Sequence, residues 1–427
     1  MKRFIKFLGI SIVTVTIAFG IFKLTNKYNL NIIHKNIDWS ISVKGCEGAK
    51  SFDFDDNGNL YIAFKDTIRI VNSDGKDKVI IKENNFDILD IIYYNNKLYI
   101  ATGSRIVEYN CQNNESKELI SNIPNLGINK EINLLIENDI LYFSVGSNTN
   151  SGIAEKKEAA YDLPTNSWIL TGNNYGEGKT GPFVPYGNSV EKGEKVEVKK
   201  IGNAAVLSYD LNLNEVNLYS HGIRNIKGWD TDNEGNIKAI VGGMEDKEPR
   251  AVKDDKDYIY EIKKDTWYGW PDYSGGDPIT SPRFSDGTKI DFLLENHPDK
   301  TPLAPSYQHK EGQSLMGLAI DKEGKIFEKN TIVFGDNKKN LLYSITKDGV
   351  VRELVDLGNN SYISKIRFYN NGFYVLDSSL GCLYELQSSN VGHLFNLPKV
   401  LWIFAIIFLI ILLGCIVFKI NNKKMKK

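Results

Sequence analysis

Two stretches near the middle of this chain hold the side chains best suited to small-molecule chemistry. The first reads His221-Gly222-Ile223-Arg224-Asn225-Ile226-Lys227-Gly228-Trp229, followed by Gly242-Gly243-Met244-Glu245-Asp246. Arg224 is a permanent cation with a planar fork of donors, which suits carboxylates; the same fork can also tie loops together through backbone carbonyls. The second stretch is Trp267-Tyr268-Gly269-Trp270-Pro271-Asp272-Tyr273-Ser274-Gly275-Gly276. Aromatic rings beside Gly and Pro make rigid, concave surfaces that suit a sugar ring or a flat cofactor. Equally, such rings pack long loops against the body of a domain.

Other candidate chemistry is weaker. Asp53-Phe54-Asp55-Asp56-Asn57-Gly58 and Asp230-Thr231-Asp232-Asn233-Glu234-Gly235 look a little like calcium loops, but neither carries the full run of ligands with its closing Glu. Hairpin turns account for both. Cys46, Cys111, Cys382 and Cys415 are spread apart with no C-x-x-C pair, and Cys415 lies in an apolar run, so no disulfide framework is expected. Net charge is −1, which gives no reason to expect a nucleic-acid partner.

The elements that must position these residues come from a repeat. A short apolar strand, a polar turn and a second strand recur along the chain. Phe52–Ala63 contains Asn57-Gly58 and is followed by Ile68–Val71; Ile91–Ala101 contains Asn95-Asn96; Ile366–Leu376 contains Asn370-Asn371-Gly372. Asn and Gly accept the positive φ of tight hairpins. Tyr61, Tyr99, Tyr142 and Tyr374 occupy equivalent places in their units. The period is roughly 40 residues, that of a four-stranded propeller blade. Two gaps are about twice as long and hold loop-like insertions at 152–203 and 264–313. The expected fold is all-β: a six-bladed β-propeller with four-stranded blades over residues 39–388. Asp38-Trp39-Ser40-Ile41-Ser42-Val43 alternates like a half-buried strand and is expected to close the ring by pairing with blade 6. Insertions gather at the loop ends of such a fold, where ligand sites form.

Both ends of the chain are apolar. Residues 1–28 begin Met1-Lys2-Arg3 and read as a transmembrane anchor, with a signal peptide as the alternative. Residues 399–419 contain an uncharged run from 400 to 418, long enough for a span of about 20 residues. The basic tail 420–427 follows, and linkers are expected at 29–38 and 389–398. Positive residues beside a span stay cytoplasmic, so both termini are expected in the cytoplasm, with the propeller at the cell membrane facing the extracytoplasmic side.

The stretches Gly222-Ile223-Arg224-Asn225-Ile226-Lys227-Gly228, Gly243-Met244-Glu245-Asp246 and Tyr268-Gly269-Trp270-Pro271 resemble, in order and spacing, motifs of the glucose/sorbosone dehydrogenase family of quinoproteins. Ser144–Asn150 and Pro305–Gly317, which includes His309, resemble further segments of it, and the likeness runs from about Asp53 to Leu386. The resemblance implies a six-bladed propeller that holds pyrroloquinoline quinone and calcium and oxidises a sugar or related alcohol. It implies that Arg224 and Asn225 contact the quinone, and that Trp267, Tyr268, Trp270 and His309 line a pocket for a sugar-like ligand. The family's catalytic base is a His just before blade 3. The corresponding stretch here is Gly127-Ile128-Asn129-Lys130-Glu131-Ile132-Asn133, in which only Lys130 or Glu131 can take a proton.

Three readings follow: a quinone-dependent sugar dehydrogenase, a catalytically silent propeller that binds a glycan or other small ligand, and a scaffold for a protein partner. The missing His favours the second over the first. The Arg-Asn and Tyr-Gly-Trp-Pro motifs favour a small ligand over the third. The topology is tested by protease added to intact cells, which should cut the middle of the chain and spare a C-terminal tag. A protected middle would overturn the placement.

Overall fold

Strong β-formers interrupted by Asn, Asp and Gly give this chain short strands and tight turns, and the sheets follow from their pairing. In the computed structural model, residues 30–389 are described apart from residue 300, together with Thr16 and Tyr28. But for those last two residues and Ser389, the expected anchors, the C-terminal linker and the basic tail lie outside the described residues. Among the described residues no helix is long and apolar enough to cross a membrane.

Six antiparallel sheets form the blades. Blade 1 comprises Ser51–Phe54, Leu60–Ala63, Thr67–Val71 and Asp77–Lys82; blade 2 comprises Asp90–Tyr94, Lys97–Ala101, Ile106–Asn110 and Ser116–Ile120. Blade 3 is Leu134–Glu137, Ile140–Val145, Ala205–Asp210 and Glu215–His221, and blade 4 is Ile226–Thr231, Ile237–Val241, Tyr258–Ile262 and Tyr307–Gln308. Blade 5 is Leu315–Asp321, Thr331–Asp336, Leu341–Ile345 and Val351–Asp356. Blade 6 is Ile363–Tyr369, Gly372–Asp377 and Cys382–Ser388, completed by Ile37–Lys44 from the start of the domain. The first strand of each blade packs beside the first strand of the next, and that of blade 6 meets that of blade 1, so the ring is closed.

Turn chemistry explains the hairpins. Asn95 and Asn96 both take positive φ (50° and 61°) between the paired Tyr94 and Lys97, as a two-residue hairpin requires. The calcium-like loops are turns of a second kind. Asp55 Oδ1 accepts the backbone N–H groups of Asn57 and Asn59 at 2.9 and 2.8 Å, and Asp232 Oδ1 accepts those of Glu234 and Asn236, both at 2.9 Å. Apolar side chains between neighbouring sheets form the core. Tyr61, Ile68, Ile91 and Ile100 fill the space between blades 1 and 2, and Tyr99, Ile106, Leu141 and Leu207 that between blades 2 and 3.

The closing strand Ile37–Lys44 pairs antiparallel with Cys382–Ser388, Trp39 opposite Leu386, and the Trp39 indole meets Tyr384 edge-on at 5.9 Å. The segment expected as a leading linker, 29–38, contains structure of its own. Asn31–Ile32 adds a strand to the outer edge of blade 5, opposite Asp356 and Val355, and Ile37 and Asp38 already belong to the closing strand. The reason is the unpaired backbone that a blade's last strand presents to solvent, which Asn31–Ile32 covers.

The two insertions fold onto each other. Trp168, Leu170, Phe183, Trp267, Trp270, Ile279, Leu293 and Leu294 share one apolar cluster. Arg250 and Asp272, both fully buried, lock it: Arg250 Nη2 meets Asp272 Oδ1 at 2.9 Å, and Nη1 donates to the carbonyls of Ser151 and Pro271. Asp272 also accepts the N–H groups of Leu293 and Leu294. Removing one partner of such a pair costs about 3–5 kcal/mol. Asp162, likewise buried, accepts Asn148 N and Thr149 Oγ1 at 2.5 Å each and so fixes the loop after blade 3's second strand.

Two outcomes are expected. A chain starting at Lys50 lacks the closing strand and exposes two sheet edges, so its midpoint should fall by about 10 °C or more; thermal melting that matches the intact domain would refute the pairing. Burial pushes the Asp162 carboxyl up from 3.8 to about 7. Its contribution to stability is therefore full below pH 3.8, where folded and unfolded chains are both protonated, and is lost as pH rises to about 7. Asp162→Asn should flatten the decline of stability between these values, since an amide can still serve Asn148 and Thr149. Parallel pH profiles for the two proteins would contradict this.

Candidate functional site

The loop 222–225 joins the last strand of blade 3 to the first of blade 4, and its shape depends on Gly222. That residue has φ +71°, and a Cβ there would lie 2.3 Å from the Trp267 indole. The tight turn sends Arg224 inward, where it is 2% exposed. Arg224 Nε donates to the Asn150 carbonyl, and Nη2 to Asn150 Oδ1 and Glu245 Oε1, all at 3.2 Å. Glu245 is thus the carboxylate that answers the buried cation. Burial nevertheless holds the Arg224 pKa below its ordinary value, with Glu245 opposing the shift.

Three buried polar atoms in this corner have no hydrogen-bond partner: Arg224 Nη1 and both amide atoms of Asn225. Arg224, Tyr268 and Trp270 come together around a cavity of about 20 Å³, space for about one water. Trp270 Nε1 donates to the Asn150 carbonyl that Arg224 also uses, at 3.2 Å. Tyr268 is held by its hydroxyl, which donates to the Glu261 carbonyl at 2.6 Å and accepts from Lys263 N at 2.7 Å. Trp267 lies inside the insertion core, stacked on His297 at 5.4 Å. His309 is elsewhere, between blades 4 and 5, with Nε2 3.1 Å from Asp336 Oδ2.

A much larger cavity, about 380 Å³, opens on the propeller axis. All six blades line it with residues at or just before their first strands, including Lys50, Asp90, Lys130, Glu131, Lys227 and Lys365. Lys365 is buried and pairs with Asp90 at 2.6 Å; burial lowers the Lys365 pKa and Asp90 opposes the shift. The other three lysines face one further carboxylate, Glu131, whose Oε2 is buried without a partner. No described histidine lines this cavity. Lys227 brings the wall of the axial cavity near the Arg224 corner at Gly242, which itself lines the small cavity. A Cβ there would lie 2.5 Å from Asn225 Oδ1 and 2.8 Å from Lys227 Cε, so Asn225 and Lys227 flank the same glycine.

Sequence reasoning put Lys130 and Glu131 in the base's slot but missed Lys50, Lys227 and Lys365 as cavity residues. The signal was the repeat register, which places the entry to each blade's first strand at the axis. Among the described residues no group of three or more His, Cys, Asp or Glu side chains could hold a metal ion.

No family model and no curated protein matches the sequence. Solved structures do match the fold. The holo form of the pyranose dehydrogenase PQQ domain from Coprinopsis cinerea superposes with a TM-score of 0.57 at 12% identity, over 84% of this chain and 97% of that one. A calcium structure of a Trichoderma reesei carbohydrate-active enzyme of family AA12 gives 0.59 at 14% identity, over 86% and 100%. The soluble aldose sugar dehydrogenase of Escherichia coli, in its apo form, gives 0.56 at 13% identity, over 83% and 100%. The chain is therefore a six-bladed propeller structurally similar to the soluble quinoprotein glucose and aldose sugar dehydrogenases.

Proposed function

We propose that this chain is a membrane-anchored, extracytoplasmic propeller that binds an anionic, carbonyl-rich small molecule of the quinone cofactor class in its axial cavity, against the Arg224–Asn225 corner. The observation that carries this reading is the set of unpartnered buried atoms on Arg224 and Asn225 beside a cavity rich in lysine. An unmet buried polar atom costs about 1–3 kcal/mol, and more when charged, so the two donors, Arg224 Nη1 and Asn225 Nδ2, call for acceptor oxygens, and Asn225 Oδ1 calls for a donor. Pyrroloquinoline quinone, the group of the Coprinopsis domain, fits that donor set. Its carboxylates would meet Lys227, Lys130 and Lys50, and its carbonyl oxygens Arg224 Nη1 and Asn225 Nδ2. Calcium would have to be held by backbone and ligand oxygens, because no carboxylate cluster is present among the described residues. The apolar ends with basic outer flanks support the anchoring.

Sugar oxidation is the second reading, and Glu131 favours it. When bound, a quinone of this class supplies a hydride acceptor. The chain must then take the proton of the alcohol, and Glu131, a lining residue whose Oε2 has no hydrogen-bond partner, supports that role, with Lys130 beside it the other candidate. Lys365 is committed to Asp90 and is not available for that role.

The test is a titration of the full chain in detergent with pyrroloquinoline quinone, with and without calcium, followed by sugar-dependent dye reduction. Asn225→Ala removes an amide that makes no side-chain hydrogen bond within the protein. It should weaken quinone binding about tenfold, or ~1.4 kcal/mol, while the melting temperature of the unliganded protein stays nearly constant. Arg224→Ala should weaken binding further and also destabilise, because Glu245 and Asn150 lose their partner. Glu131→Gln should keep quinone binding and abolish any dye reduction. If the wild type binds no quinone at millimolar concentration, the reading fails and the alternative of a catalytically silent propeller that binds a glycan or other small ligand takes its place.

A further inference from the structure

His309, Tyr307 and Asp336 form a hydrogen-bonded chain that the axial site does not use. Asp336 sits at the turn between the second and third strands of blade 5, where Oδ1 accepts Lys338 N and Lys339 N at 2.9 and 3.1 Å. Its Oδ2 faces His309 Nε2 at 3.1 Å, and His309 Nδ1 faces the Tyr307 hydroxyl at 3.0 Å. With Nε2–H donating to the carboxylate, Nδ1 is left to accept the phenol hydrogen. The Tyr307 oxygen then has its proton committed and keeps the capacity to accept.

That oxygen stands at a cavity of about 360 Å³ between blades 4 and 5, within the range of about 300–1,000 Å³ typical of ligand pockets. The rings of Tyr307 and Tyr343 form aromatic walls, and Tyr343 is backed by Phe334, stacked on it at 5.6 Å. Lys310 and Lys339 supply two ammonium groups; Lys339 is 3.5 Å from Glu311, and Glu353 is the one carboxylate in the lining. Gln308 adds an amide.

We propose that this inter-blade cavity is a second ligand site, for a carboxylate-bearing sugar. Flat aromatic walls suit the C–H faces of a pyranose ring. The Tyr307 oxygen accepts a ring hydroxyl, and the two lysines answer the carboxylate. A neutral sugar gains nothing from the two ammonium groups, and a small anion without a ring leaves the aromatic walls unfilled.

The experiment is calorimetric titration of the full chain in detergent with trigalacturonate, with maltotriose as a neutral control and tricarballylate as an anion that is not a sugar. Trigalacturonate should bind at least about tenfold more tightly than either control. The double variant Lys310→Gln/Lys339→Gln changes two exposed side chains and removes the surface Lys339–Glu311 pair; it should lose about tenfold, and Tyr307→Phe, which keeps the ring, several-fold. Asn225→Ala should leave this binding unchanged, which separates the site from the axial one. Equal binding of tricarballylate would reduce the site to charge alone and overturn the proposal, as would equal binding of maltotriose or no binding of trigalacturonate. Binding lost in Asn225→Ala but kept in the double lysine variant would place the sugar on the axis and overturn it too.

Discussion

Ring closure is the constraint on which the rest of this structure depends. Each blade buries its apolar faces against two neighbours, so an open ring would leave two sheets half covered and two strand edges unpaired. Ile37–Lys44 removes that cost by joining the first part of the domain to its last strand, with Trp39 opposite Leu386 and over Tyr384. Only once the ring is closed do six first strands face one axis. The axial cavity is a product of this closure, because its walls come from all six blades. Lys365 and Asp90 meet there across 275 residues of sequence.

The second level of order is built on the ring. The insertions after blade 3's second strand and within blade 4 could not bury their aromatics alone. Together they make a small core whose polar lock is the Arg250–Asp272 pair. Asn150 links this layer to the candidate site, since its carbonyl accepts from both Arg224 and Trp270. The position of Arg224 therefore rests on Asn150, which Trp270 of the second insertion also holds, and on Glu245.

How much of this was legible in the sequence varies with the range of the interactions. The hairpins were plain, because Asn95-Asn96 and Asn57-Gly58 specify turns locally. The repeat of Tyr61, Tyr99, Tyr142 and Tyr374 revealed the blades, because equivalent strands meet equivalent neighbours. The aromatic run at 267–273 was ambiguous. Rings that fill a core and rings that line a pocket have the same composition, and here Trp267 went to the core while Tyr268, Trp270 and Tyr273 also edge the small cavity. His309 illustrates the limit. The chain enters the second insertion along the outer edge of blade 3, at Thr266–Trp267, and returns to blade 4 at Tyr307–Gln308. No local pattern announces that path, so His309 could be named as a site residue without its cavity being known.

The low identity to solved propellers has a physical explanation in the same hierarchy. What the fold requires is alternating strands, turn residues with positive φ and a closing strand, and many sequences satisfy these. What a particular chemistry requires is a few side chains at fixed places. On this scaffold Lys130 and Glu131 line the axial cavity, and the Arg224–Asn225 corner holds three polar atoms unmet. Packing can dispense with such atoms more readily than it can tolerate them buried, since an apolar replacement would remove their desolvation cost. Such atoms near a lysine-lined cavity are what the proposed ligand reading rests on, and they bear on binding separately from catalysis.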